Sequence, residues 1–335
     1  MSAPILYFKG APSAPENAFG EIATEDFRSR LEKSPILIRE SFEYMMDMKT
    51  RPDTWAQLDQ IFNTCAPNIQ SAQDIEYLYE HLSNGYLYMA MTDYPYPANF
   101  LEPMPAWPVS EAVKPFEPIP ILGEEETEVV FPTRKLTEAA SSFSSEIAGG
   151  MSDREQLLLQ ALQDSTSIYF NYTGNYPCTN LSDWEGTGTL DGYGWNILAC
   201  NQLFMPTGFG EASMFIPLTW NYTEYTEECQ RLYGLTPEYD WALTYFGGYN
   251  ISLDFMAATN IIWSNGELDP WRAGGLNANV SADGSSIALY ISQAAHHLDL
   301  RPPNVDDPPS VTEARNIELA NINKWIAEYQ TNEQL

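Results

Sequence analysis

Two stretches decide the fold, Asn260-Ile-Ile-Trp-Ser-Asn-Gly-Glu-Leu-Asp-Pro-Trp271 and Ser286-Ile-Ala-Leu-Tyr-Ile-Ser-Gln-Ala-Ala-His-His297. Each opens with a short apolar run that is typical of a buried strand. Each run then passes into a loop with ionisable side chains, Asp269 in the first and two adjacent histidines in the second. Because catalytic groups collect just past the carboxyl ends of strands in open α/β sheets, we expect Asp269 and His296 to meet at one edge.

An acid after one strand and a histidine after the next form the end of the hydrolase order Ser…Asp…His. In that chemistry the histidine is a general base, and the carboxylate fixes its tautomer and stabilises the imidazolium. Taken singly, Asp269 before Pro270 could serve only a turn. His296 and His297 could be a surface pair, or metal ligands together with Asp299, although adjacent side chains in an extended segment point apart. The joint pattern favours a triad fragment, and no metal is predicted.

Apolar residues at helical spacing dominate two parts of the chain, from Thr24 to about Asp93 and from Asp153 to about Phe170. Within the first part, Ser71 with an acid three residues later is typical of a helix start. Ser310 with a glutamate three residues later predicts the same kind of start for a closing helix.

The remaining segments carry other signals. Residues 95–120 are rich in proline, which predicts an extended, irregular segment. Residues 121–150 are acidic and then rich in serine, which predicts an exposed loop. Ile5 to Phe8 is interpreted as the end of a buried strand. The sequence therefore predicts a helical block followed by half of an α/β sheet.

Composition excludes several partner classes. The 335 residues include 16 basic and 46 acidic side chains, for a formal net charge of −30. Nucleic acid and an anionic membrane surface would both be repelled by this charge. No apolar run approaches the roughly 20 residues that span a bilayer. The charge fits either a surface that repels its own copies or a protein suited to an acidic compartment.

Cysteines and glycosylation sequons bear on the compartment. The four cysteines, an even number that allows two disulfides, are Cys65, Cys178, Cys200 and Cys229. They form no Cys-x-x-Cys pair, so neither a zinc site nor a thioredoxin-like motif is predicted. The Asn-x-Ser/Thr sequons are at Asn171, Asn180, Asn221, Asn250 and Asn279. Together these features favour a protein of the secretory pathway. The N-terminus lacks a signal peptide, so we expect a chain without its natural N-terminus.

Long motifs resemble the serine exopeptidase family of lysosomal Pro-Xaa carboxypeptidase and dipeptidyl peptidase II. The two loops match as Ser264-Asn-Gly-Glu-Leu-Asp-Pro-Trp271 and Ala295-His-His-Leu-Asp-Leu-Arg301. Ala90-Met-Thr-Asp-Tyr-Pro-Tyr-Pro-Ala-Asn-Phe-Leu101 and Pro105-Ala-Trp-Pro108 resemble the family's cap segment. Ser2-Ala-Pro-Ile5 is similar to the strand end that follows its nucleophile elbow.

The resemblance implies a partial α/β-hydrolase fold with an inserted helical cap domain. Residues 1–12 would be the remnant of the strand after the nucleophile elbow. Residues 13–170 would form the cap, with 121–150 as its exposed loop. Residues 171–335 would be the C-terminal part of the hydrolase domain.

The resemblance also implies roles for single residues. Asp269 would be the triad acid and His296 the triad base, whereas Trp271 and Met205 would line an apolar pocket for proline. Simple core packing is the alternative for Trp271 and Met205. The family pairing implies disulfides Cys65–Cys178 and Cys200–Cys229. No cofactor is implied.

The implied substrates are peptides with proline near a terminus. Carboxypeptidase action is expected first and dipeptidyl aminopeptidase action second, and a homodimer is left open. The family's nucleophile lies in a Gly-x-Ser-x-Gly turn, and this sequence contains none. An acid and a histidine without a nucleophile cannot perform acyl transfer. We therefore expect the chain to be inactive alone, with a non-catalytic peptide-binding isoform as the alternative.

Overall fold

The computed structural model describes residues 4–11, 16–122, 150–181 and 190–332. Residues 123–149 of the predicted exposed loop lie outside these ranges. Within the described ranges, no helix combines the length and the apolar character needed to cross a bilayer.

The first half of the described chain is a block of packed helices. They are α1 (Ala18–Arg30), α2 (Ser34–Asp47), α3 (Trp55–Phe62), α4 (Ala72–Met91), α5 (Pro108–Ala112) and α6 (Asp153–Phe170). As predicted, α4 begins with a capping box, in which Ser71 and Asp74 accept each other's backbone N–H groups. The observed bounds of α6 are also the predicted ones. That this block is a cap inserted into a hydrolase domain stays a prediction.

One apolar core holds the helical block together. It includes fully buried side chains from all six of these helices, among them Phe27, Phe42, Tyr86 and Leu158. Burying each such side chain stabilises the fold by about 1.5–3 kcal/mol. The Tyr86 hydroxyl, which would otherwise be an unsatisfied buried group, donates to Ser165 Oγ at 2.8 Å.

The proline-rich segment is more regular than predicted. It forms a short antiparallel hairpin of β1 (Ala98–Phe100) and β2 (Glu102–Met104), and then α5. Proline has no N–H, but the first position of a helix needs none, and Pro108 occupies that position in α5. The expectation of a wholly irregular segment was therefore wrong.

The second half contains the predicted parallel strands. It runs through α7 (Leu190–Asn201), α8 (Tyr222–Tyr233), α9 (Trp241–Phe246), α10 (Ile251–Asp254), β3 (Ile261–Gly266), β4 (Ser286–Ile291) and α11 (Pro309–Asn332). Strands β3 and β4 pair in parallel along their whole length, from Ile261 opposite Ser286 to Gly266 opposite Ile291. Their carboxyl ends therefore lie side by side.

Both disulfides implied by the family pairing are present. Cys65 is bonded to Cys178, which ties the segment after α3 to the segment after α6. Cys200 is bonded to Cys229, which joins α7 to α8.

Two local predictions differ from the structure. Ile5–Tyr7 forms a 3-10 turn instead of a strand, closed by hydrogen bonds from Tyr7 N to Pro4 O and from Phe8 N to Ile5 O. A strand needs a neighbour for its ladder, and no described strand pairs with this segment. The closing helix begins at Pro309, so Ser310 lies inside it and donates to Ser292 O instead of capping.

Candidate active site

The loops after β3 and β4 are bonded to each other through their main chains. Leu268 N donates to Ala294 O at 2.9 Å, and Glu267 N donates to Ile291 O at 2.9 Å. Gly266 permits this approach, because a Cβ there would lie 2.4 Å from Ala294 O. The two strand ends thus deliver their loops to one small region.

Asp269 and His296 meet in that region. Asp269 Oδ2 lies 2.8 Å from His296 Nδ1. The other carboxylate oxygen, Oδ1, accepts the backbone N–H of Trp271 at 3.0 Å and so caps the 3-10 turn Pro270–Gly274. Asp269 therefore caps a turn and orients a histidine at the same time, so the two interpretations of this residue from the sequence are compatible. Its side chain is only 1% exposed, so water competes little for either bond.

The ring of His296 is oriented by this bond. A hydrogen bond from Nδ1–H to the carboxylate leaves Nε2 as the basic nitrogen, a tautomer assigned from the network. The side chain is 19% exposed, so the ring is not sealed in the core. This arrangement can accept a proton from a nucleophile and return it to a leaving group.

Met91, at the end of α4, and Tyr94, just after it, bond the main chain of His296 on both sides. His296 N donates to Met91 O at 3.0 Å. His296 O accepts the hydroxyl of Tyr94 at 2.7 Å. The helical block therefore fixes the position of a histidine that follows β4, and the sequence offered no spacing signal for these distant partners.

His297 adopts a different backbone conformation from a regular extended chain. Its φ of 55° is left-handed, and its ring stands at 86° to that of His296. Burial, and then the neighbouring His296, lower the pKa of His297 and favour its neutral form. Among the described residues, no cluster of three or more His, Cys, Asp or Glu side chains is placed to hold a metal.

Trp271 and Met205 lie in one apolar cluster beside Asp269. The Trp271 ring packs edge-on against Phe19 at 4.6 Å and against Tyr7 at 5.9 Å between ring centroids. Met205 is a partly buried member of the same cluster. Phe19 and Tyr7 were missed by the sequence analysis, because an aromatic residue in an apolar stretch is not distinguishable there from ordinary core.

Comparison with known proteins decides the family. Residues 16–318 match the profile of the family described as Serine carboxypeptidase S28. The chain belongs to the S28 family. Members of this family are α/β-hydrolase-type serine peptidases.

Named relatives agree with this assignment. Lysosomal Pro-X carboxypeptidase of Homo sapiens is 33% identical over 329 residues, which cover 98% of this chain and 58% of the relative. The Pongo abelii protein of the same name gives the same identity and coverage. Prolyl carboxy peptidase like protein 5 of Caenorhabditis elegans is 28% identical over 349 residues, covering 99% and 61%. The chain thus spans about three fifths of the length of these relatives.

Two buried acids lie near the site in this S28 chain. Burial raises the pKa of Asp93 to about 6, although the ion pair with Arg30 acts in the opposite direction. Burial, and then Asp93, raise the pKa of Asp26 to about 9, so Asp26 is neutral near pH 7. Asp93 also accepts the N–H of Val109 and so fixes the start of α5.

The sequon asparagines lie at the surface to different degrees. Asn171 is half-buried, and the others are exposed, namely Asn180, Asn221, Asn250 and Asn279. Asn221 and Asn250 also cap α8 and α10 through Oδ1, the atom that glycosylation leaves in place. Modification at these positions stays a prediction.

Proposed function

We propose that this chain carries the acid–base part of a serine exopeptidase that cleaves prolyl bonds near peptide termini. The observation that carries the proposal is the 2.8 Å contact between Asp269 Oδ2 and His296 Nδ1 at the ends of two parallel strands. Membership of the S28 family supports it, because that family consists of serine peptidases.

The chemistry follows from the geometry once a serine is supplied. The serine oxygen attacks the scissile carbonyl while its proton passes to His296 Nε2. His296 then gives this proton to the leaving nitrogen, and the peptide C–N bond breaks. Water hydrolyses the acyl-enzyme by the same route in reverse. Throughout, Asp269 holds Nδ1–H and stabilises the imidazolium.

The proline ring is proposed to bind against Trp271 and Met205. A pyrrolidine ring is apolar and compact, and it gains most from contact with an aromatic face and a flexible thioether. Both side chains are partly buried in one cluster, so each keeps some surface for a ligand.

The proposal also covers the missing nucleophile, the peptide terminus that is cleaved and the cellular location. Because the sequence has no Gly-x-Ser-x-Gly turn, we propose that residues 1–335 bind peptides but do not cleave them unaided. The names of the relatives favour carboxypeptidase over aminodipeptidase action. The same names, with two disulfides and the sequons, support a lysosomal or secreted location.

Hydrolysis assays at acidic pH test this function. Purified residues 1–335 are compared with a chimaera that joins to them the unmatched part of the human relative. Two substrates distinguish the termini: an N-acylated Pro-Xaa peptide with a free carboxylate, and an Xaa-Pro amide with a free amine. We expect cleavage of the first substrate by the chimaera alone, and its loss in His296→Ala.

Other results would change the proposal. Cleavage by residues 1–335 that disappears in His296→Ala would mean that the chain contains another nucleophile. Cleavage by the chimaera that survives His296→Ala would remove His296 from the mechanism.

A further inference from the structure

Arg315 on α11 forms hydrogen bonds to the turn that follows the two histidines. Its Nε donates to Asp299 O at 2.8 Å. Its Nη2 donates to Leu298 O at 2.8 Å and to Arg301 O at 3.1 Å. One guanidinium thus donates to three carbonyl groups of a single short turn, which begins two residues after His296.

A cation suits this end of the turn. The histidine loop closes through a 3-10 turn over Leu298–Leu300, in which Leu298 O accepts the N–H of Arg301. The last carbonyls of a helical turn have no further N–H partner within it. A cation at this end is favoured, because the carbonyl dipoles point towards it. A planar guanidinium, with donors in a fixed fork, can serve several carbonyls at once.

Asp307 fixes Arg315 from the other side. Asp307 Oδ2 accepts Arg315 Nη1 at 2.6 Å, and its side chain is 1% exposed. The same oxygen accepts Asn304 N at 2.7 Å, which closes the bend just before α11. Arg315 is therefore held between a buried carboxylate and the histidine loop, with 18% of its side chain exposed.

We propose that Arg315 is the positioning residue of the candidate base, holding the loop after His296 so that the imidazole stays aligned with Asp269. The loop is then fixed on both sides. Met91 and Tyr94 hold the main chain of His296 itself, and Arg315 holds the turn that follows. Without Arg315 the turn would lose three hydrogen bonds to α11, and the Nδ1-to-carboxylate bond would lose part of its rigid support.

The inference rests on the proposed function only in calling His296 a base. The alignment itself is a property of residues 1–335 and is measured without activity. A proton shared between a histidine Nδ1 and a carboxylate gives a far-downfield NMR resonance. Since the chain has three histidines, a His296→Gln variant assigns that resonance.

The test compares four proteins with the native chain. Arg315→Lys keeps a cation opposite Asp307 but lacks the fork, and Arg315→Met removes both. Asp307→Asn weakens the anchor without touching the loop. Lys324→Met is the matched control, because Lys324 is an exposed cation on the same helix and lies 3.8 Å from the exposed Glu328. Circular dichroism and thermal unfolding establish that each variant folds.

We expect the Nδ1 proton resonance to broaden or vanish in Arg315→Lys and Arg315→Met. Amide exchange at Leu300 and Arg301 should become about tenfold faster, because the turn opens more easily. Asp307→Asn should shift both readouts less and in the same direction, and Lys324→Met should match the native chain. Should Arg315→Met not fold, Arg315→Lys and Asp307→Asn decide the question.

The proposal is overturned if the folded Arg315 variants keep the native resonance and exchange rates, even with a lower melting temperature. In the chimaera, Arg315→Lys should lower kcat by about 10²-fold with KM unchanged, because a misplaced base affects the transition state. An inactive native chimaera would defeat the proposed function, while the NMR result would still decide the role of Arg315.

Discussion

Tyr94 donates its hydroxyl to the carbonyl of His296 at 2.7 Å, across 202 residues of sequence. Burial raises the pKa of Tyr94 to about 12, although the nearby Arg301 acts in the opposite direction. The phenol therefore stays a donor at any physiological pH. The bond connects the segment after α4 to the loop after β4. The position of the candidate base therefore depends on the helical block as well as on the strands.

Tyr94→Phe tests this connection. The change removes one hydrogen bond and keeps the ring, so we expect a loss of about 1 kcal/mol in the free energy of unfolding. Chemical denaturation measures that loss, and hydrogen exchange at the amide of His296 should quicken. Tyr96→Phe is the matched control, because the Tyr96 hydroxyl contacts Arg301 and not His296. Equal effects of the two changes on exchange at the His296 amide would argue against a specific link.

Asp269→Asn tests the acid. An amide cannot stabilise the imidazolium, and it can donate to Nδ1 and select the wrong tautomer. In an active chimaera we expect kcat to fall by about 10⁴-fold. Steady-state kinetics on the Pro-Xaa substrate measure this. Asp306→Asn is the control, because Asp306 is an exposed acid. A small decrease of kcat in Asp269→Asn would contradict the assignment of Asp269 to the triad.

Gly266→Ala tests the close approach of the two loops. The new Cβ would lie 2.4 Å from Ala294 O, so the backbone must shift, at a cost of about 1–3 kcal/mol. Gly194→Ala is the matched control, because its Cβ meets nothing within 4 Å. In helix α7 that change should stabilise by about 0.5–1 kcal/mol. We expect the denaturation midpoint to fall in Gly266→Ala and to rise in Gly194→Ala. An unchanged midpoint in Gly266→Ala would contradict the packing described.

Glu318 should make stability depend on pH. Burial, and then its bond to Asp299, raise the pKa of Glu318 from 4.5 to about 7. Between these two values the folded chain binds more protons than the unfolded chain, so this contribution to stability is lost as pH rises towards 7 and beyond. Glu318→Gln should therefore lose less stability than the native chain between pH 5 and pH 8.

Melting temperatures at the two pH values measure this difference. Glu328→Gln, an exposed acid on the same helix, is the control and should follow the native chain. If Glu318→Gln also followed the native chain, the carboxyl pair would not be the source of the pH dependence.

Local patterns predicted much of the fold and the central contact of the site. The apolar runs gave β3 and β4, helical spacing gave the bounds of α6, and strand order brought Asp269 to His296. The closing capping box failed because Pro309 starts the helix earlier. No local pattern could predict Tyr94 or Arg315, because their partners lie on distant segments and neither residue type is unusual where it stands.

The disulfide between Cys65 and Cys178 spans 113 residues of sequence. A single backbone cut anywhere between these cysteines would leave two polypeptides that stay one covalent molecule until they are reduced. Such a nicked protein would run as one band on a non-reducing gel and as two on a reducing gel. The apparent size of this chain can therefore report its proteolytic history only when both gels are read together.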